Sequence, residues 1–172
     1  MTQIQSITTL HDLFDANIGK FVFAEIALNN HLSSWTAKAS SIQLKTTLSM
    51  YQEYVKKHIR KLETLIRKEE ITSLKIGNNI MEAFVKDTEE NMEACTDPEV
   101  RDASLLASIQ SINHFKISTY GTASAFAHAL DLIDAAKVLH EAELNEKQID
   151  ERLNYLAEHE INIRANAPFL LG

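Results

Sequence analysis

The chain has 172 residues, 45 % of them apolar and 24 % charged, and its 24 acidic against 17 basic side chains give a net charge of −7. This is the length of one domain and the balance of a globular protein with a real core, so disorder and fibrous repeats are excluded and a single domain over 1–172 is expected. Four Gly and two Pro are too few for a sandwich or barrel that turns about every ten residues, so the expected class is all-α. The longest uncharged stretches, Ala103 to Phe115 and Ile117 to Leu130, carry Ser, Gln, Asn, Thr and His and fall short of the roughly 18 apolar residues of a membrane span. The N-terminus from Met1 to Ser6 has neither a basic region nor an apolar run, so it does not read as a secretory signal. A cytoplasmic location is the resulting expectation, and the lone Cys95 fits a reducing compartment.

Apolar spacing of three and four residues predicts five helices. The first runs from about Leu10 to Ala37 behind Thr8 or Thr9 as cap, with Phe14, Ile18, Phe21, Leu28, Leu32 and Trp35 on its stripe. The second spans about Ile42 to Arg67 behind Ser40 or Ser41. Glu69 to Asn78 has no sustained period and reads as a crossover, followed by a short helix over Asn79 to Ala94. At Asp97-Pro98-Glu99 a capping carboxylate, a proline at the first helical position and an acid at the positive helix end mark the start of the fourth helix, which continues to Leu130. Gly121 falls in its middle, where a missing side chain favours close approach to a neighbour. A turn over Asp131 to Asp134 leads into the last helix, about Ala135 to Ile163. Four long helices, the middle pair joined by a long connection with its own short helix, predict a four-helix bundle with one crossover, the connectivity of ferritin-like folds.

Each long helix carries polar residues on its apolar stripe. They are Glu25 on the first, Tyr51 and His58 on the second, Asn113 and Lys116 on the fourth, and Glu146 on the last. A buried charge costs several kcal/mol unless it is paired or bound to metal, so this layer calls for partners. In ferritin-like bundles, Glu and Glu-x-x-His pairs hold two metal ions, and carboxylates with imidazoles suit iron or manganese. No Glu-x-x-His or Asp-x-x-His occurs here, and Glu143-x-x-Glu146 and His140-x-x-Glu143 are spacings common on any charged helix. The reading favoured by the residues is a salt-bridged core in which Lys116 lies between Glu25 and Glu146.

Other motifs carry less. The basic run Lys56, Lys57, Arg60, Lys61, Arg67 and Lys68 lacks interleaved aromatics and belongs to an acidic chain, so it reads as a solvated face rather than a nucleic-acid site. His11, His31, His128 and His159 have no mutual ligand spacing, and no phosphate-cradling glycine loop or nucleophile elbow is present.

Val100-Arg101-Asp102-Ala103 followed by Gln110-Ser111-Ile112-Asn113-His114-Phe115-Lys116-Ile117-Ser118-Thr119-Tyr120-Gly121-Thr122 resembles the signature of the YciF-like ferritin-like family, V-R-D-A and then Q-x-V-E-H-Y-E-I-A-x-Y-G-T. Ala24-Glu25, Leu44-Lys45, Leu62-Glu63, Met81-Glu82 and Glu146-Lys147 with Asp150 and Leu153 extend the likeness from about Leu10 to Glu158. The resemblance implies a ferritin-like bundle, usually a homodimer, with a two-metal site and an association with bacterial stress responses. The departures are concentrated in that site. Asn113 and Lys116 stand where the family has two glutamates, Tyr51-Gln52-Glu53-Tyr54-Val55 replaces H-L-E-E-T, Asn145 replaces the first Glu of E-E-K, and Asp87 stands for a Glu.

The resulting expectation is a cytoplasmic, non-catalytic structural, interaction or stress-associated protein with no metal cofactor, no membrane or nucleic-acid partner, and a polar core of Glu25, Tyr51, His58, Asn113, Lys116 and Glu146. The competing expectation is an iron- or manganese-dependent oxidoreductase or storage protein with a reduced site built from Glu25, His58, His114 and Glu146. A third is a binding module, for which Trp35 and the tail Phe169-Leu170-Leu171 are the hints.

Overall fold

A computed structural model describes residues 6–72 and 77–166. Its helices are α1 (Leu10–Lys38), α2 (Ile42–Lys68), α3 (Asn79–Ala94), α4 (Pro98–Ala129) and α5 (Ile133–Leu156). α5 continues through a π-helical turn, Ala157–Ile161, into a last α-helical turn, Asn162–Ala165. No strand occurs among the described residues, and none of their helices is long and apolar enough to cross a membrane. The expected bundle of four long helices is present. α1 packs on α2 and α4, α5 packs on α4 and α2, and α3 lies across α1 and α4.

The helix starts follow local chemistry. Thr9 and Asp12 form a capping box, Ser41 accepts from the Leu44 N–H, Asn78 from Met81, and Asp97 from Glu99 and Val100. The backbone and hydroxyl donors of Thr8 and Thr9 hold the Asp12 carboxyl at about 2. α2 and α4 end in the same way, by closing the last turn on a residue with positive φ, Glu70 at 52° and Asp131 at 57°. Beyond each, Ile71 N–H bonds to Ile66 C=O at 3.0 Å and Leu132 N–H to Ala127 C=O at 2.9 Å, satisfying carbonyls that would be left bare. α5 therefore starts at Ile133, before the expected Ala135. Its far end holds no Gly or Pro, so nothing in the sequence marks the π-turn there.

α4 and α5 pack along their length, but not because of Gly121: a Cβ there would stand 3.4 Å from the Glu143 carboxylate, an ordinary contact with the end of a flexible side chain, so the expected close approach at this glycine is not found. At one end of the bundle the buried Asp102 carboxylate, on α4, accepts from the Ser40 N–H at 2.8 Å and the Ser41 N–H at 2.7 Å. This joins the start of α4 to the α1–α2 turn and sets α2 and α4 running the same way. The Ser41 hydroxyl also donates to Glu160 at 3.0 Å, bringing the π-turn to the same end.

Trp35 is fully buried, which removes it as a docking residue. The tail Phe169-Leu170-Leu171 lies outside the described residues. Asp102→Ala strips the acceptor from two turn amides and is expected to lower stability by about 2–3 kcal/mol. Urea unfolding with unchanged m-value measures this, and a loss below about 0.5 kcal/mol, the range of ordinary surface changes, would show that the turn does not need Asp102.

Candidate functional site

α1, α2, α4 and α5 each project polar side chains to one level of the core. Glu25, Asn113, Lys116, Glu146 and Tyr51 are fully buried, and His58 is 2 % exposed. The stripes explain the placement, because positions three and four apart share a helix face. Leu48, Tyr51, Val55, His58 and Leu62 follow one another on α2 as Ile109, Asn113, Lys116 and Tyr120 do on α4.

Lys116 is the centre of the layer. Its Nζ lies 2.6 Å from Glu146 Oε1 and 3.1 Å from Glu25 Oε2, and donates to the Tyr51 hydroxyl at 3.3 Å. The two carboxylate contacts are ion pairs rather than aligned hydrogen bonds. Neutral donors satisfy the remaining lone pairs. Tyr120 OH donates to Glu25 Oε1 at 2.6 Å, and Tyr51 OH and Asn113 Nδ2 each reach Glu146 Oε2 at 2.8 Å. His58 Nδ1 faces both carboxylates at 3.4 Å, while its Nε2 lies 3.3 Å from Asn145 Nδ2.

The charges follow from this geometry. Burial pushes the Glu25 carboxyl up, but Lys116, His58 and the Tyr120 hydroxyl outweigh it and hold the group below its ordinary 4.5. Burial, then the Glu146 and Glu25 charges, push the Tyr51 hydroxyl well above 10.0, and burial with Glu25 does the same to Tyr120. Both phenols therefore serve as donors.

All six expected cluster residues come together, with Lys116 at the centre and the other five around it. His114 is a correction. Named as a surviving metal candidate, it sits on the outer side of α4, 64 % exposed, with Nε2 2.8 Å from Asp150. One residue after Asn113 on a helix, it is turned about 100° from the core. Tyr120 and Asn145 were missing from the expected cluster. Tyr120 follows Lys116 by four on the same face, but a tyrosine on an apolar stripe reads as core.

The donor set does not fit a two-metal centre. That centre takes a Glu from two helices and a Glu-x-x-His from each of the others. Here Val55 precedes His58 by three and Ile149 follows Glu146 by three, both fully buried, and Lys116 faces Glu25 from α4. Glu25, His58 and Glu146 remain, with one ligand atom of each within 4.8 Å of the others. An ammonium already stands against both carboxylates, where a metal would repel it.

Because Glu25 is held below its unfolded value, its contribution to stability is complete above about pH 4.5 and is lost as the pH falls through the folded value. Thermal melts from pH 7 to 3 are expected to show a steeper acid loss in the native sequence than in Glu25→Gln, which lacks the titrating group. Parallel slopes would remove Glu25 as a source of the acid sensitivity.

The comparisons agree with this fold. The family model described as "Domain of unknown function (DUF892)" matches residues 9–166. Protein YciF of Escherichia coli K12 is 28 % identical over 161 residues, which cover 93 % of this chain and 97 % of the relative. The crystal structure of the E. coli stress protein YciF matches with a TM-score of 0.83 at 29 % identity, over 91 % of this chain and 99 % of the other. YcfI of Rhodopseudomonas palustris shares the fold, with a TM-score of 0.83 at 24 % identity over 88 % of this chain and 96 % of that one. The chain belongs to this family of domains of unknown function, the YciF-like proteins.

Proposed function

We propose that this protein is a cytoplasmic, homodimeric, ferritin-like bundle in which Lys116 has taken over the structural task of a dinuclear metal centre, and that it acts without catalysis as a structural or interaction protein in a stress response. The observation that carries the reading is the buried Lys116 ammonium, 3.1 Å from Glu25 and 2.6 Å from Glu146. A fixed ammonium offers no open coordination position and no change of oxidation state, so the family's expected chemistry has no seat in the core. The stress association is taken from the E. coli relative. A second reading, a metal-dependent oxidoreductase or storage protein with one iron or manganese ion on Glu25, His58 and Glu146, is favoured by the convergence of those ligand atoms.

Titration of Fe(II) and Mn(II) into chelator-treated protein separates the two. No uptake is expected. Stoichiometric uptake abolished by Glu25→Gln would establish the second reading. Stability gives an independent check: Lys116→Met strands two carboxylates and is expected to cost about 3–5 kcal/mol, and Lys116→Glu, with three acids in contact, at least as much. An unchanged melting temperature for Lys116→Glu in chelator would sink the ion-pair core.

A further inference from the structure

α2 carries seven of the chain's 17 cations and two of its 24 acids, so this helix is +5 in a protein of net charge −7. Where its second half meets the start of α5, a groove of about 670 Å³ opens. Its floor is Leu65, Ala135 and Val138, and its rim carries Lys57, Arg60, Lys61 and Lys68. The rim cations are not equivalent. Lys57 is paired with Glu141, and Lys68 with Asp134 at 2.6 Å. The two acids in the wall, Asp134 and Glu69, thus sit at the Lys68 end. Arg60 and Lys61 are exposed and make no ion pair among the described residues.

An apolar floor beside two uncommitted cations is complementary to a ligand with an apolar body and an anionic head. We propose that this groove binds a small anionic amphiphile, an acyl or aryl chain ending in a carboxylate, sulfonate or phosphate, with the body on Leu65, Ala135 and Val138 and the head held by Arg60 and Lys61. The volume falls within the usual range of small-molecule sites. The floor spans about one helical turn of α5, too short for the i, i+3, i+4 and i+7 anchors of a docked helix. The ordinary solvated fate of surface lysines does not account for an apolar hollow at their stems, and the site shares no residue with the Lys116 network.

Calorimetric titration of decanoate into the full chain, with decanol as the uncharged control, tests the assignment. One saturable decanoate site is expected, with decanol at least about tenfold weaker. The double variant R60Q/K61Q is expected to lose about tenfold or more in decanoate affinity, the equivalent of one or two charge-assisted contacts, at an unchanged melting temperature. Failure of decanoate to saturate, equal affinity for decanol, or unaltered affinity in the folded double variant would overturn the proposal.

Discussion

A lysine ammonium buried between two carboxylates is the constraint around which this bundle is organised. Removing three charges from water is unfavourable by several kcal/mol per ion, and their mutual attraction offsets that only when the geometry is close and the remaining lone pairs are met. The contacts are close, and one oxygen of each carboxylate, Glu25 Oε1 and Glu146 Oε2, is met by hydrogen bonds. Lys116 touches Glu25 and Glu146 within 3.1 Å, and Tyr120, Tyr51 and Asn113 supply neutral donors to the same carboxylates. The charges come from three different helices and the phenol of Tyr51 from the fourth, so a shift of any one helix by a single turn, about 5.4 Å, would break the layer. Apolar stripes alone tolerate such slips. The polar layer gives the four helices one register.

The end of the bundle repeats this principle on a smaller scale. Asp102 has no basic partner among the described residues; its carboxylate is met by the amides of Ser40 and Ser41, which the short α1–α2 turn leaves without helical acceptors. A carboxylate on α4 thus completes a turn between two other helices. The position of α4 is fixed at its start and again at Lys116.

Helix positions were legible because the apolar period persists for more than about six turns in each long helix and the few Thr, Ser, Asn and Asp caps stand where the period begins. The polar layer was legible for a related reason: a Lys or Glu inside an apolar stripe is conspicuous. Tyr120 was not, since its ring packs like any core aromatic, edge-on to Phe21 at 4.6 Å, while only its hydroxyl joins the network. His114 shows the opposite error. It matched a family motif, but motif membership says nothing about the direction of a side chain, and one step along a helix takes it to the surface. The π-turn at Ala157–Ile161 has no local signal in the sequence.

Core and surface carry charge in different ways. In the core, Lys116 is closed off from solvent between Glu25 and Glu146, and the fully buried Val55 and Ile149 occupy the helix positions that Glu-x-x-His pairs would need. On the surface, charge is distributed very unevenly. α2 holds +5 while the rest of the chain holds the balance of a net −7, and an uneven field of this kind orients an approaching anion toward one face before any contact forms. The groove beside Arg60 and Lys61 lies on that face, so the core that stabilises the bundle and the surface that would select a ligand are separable, and each can change by mutation without disturbing the other.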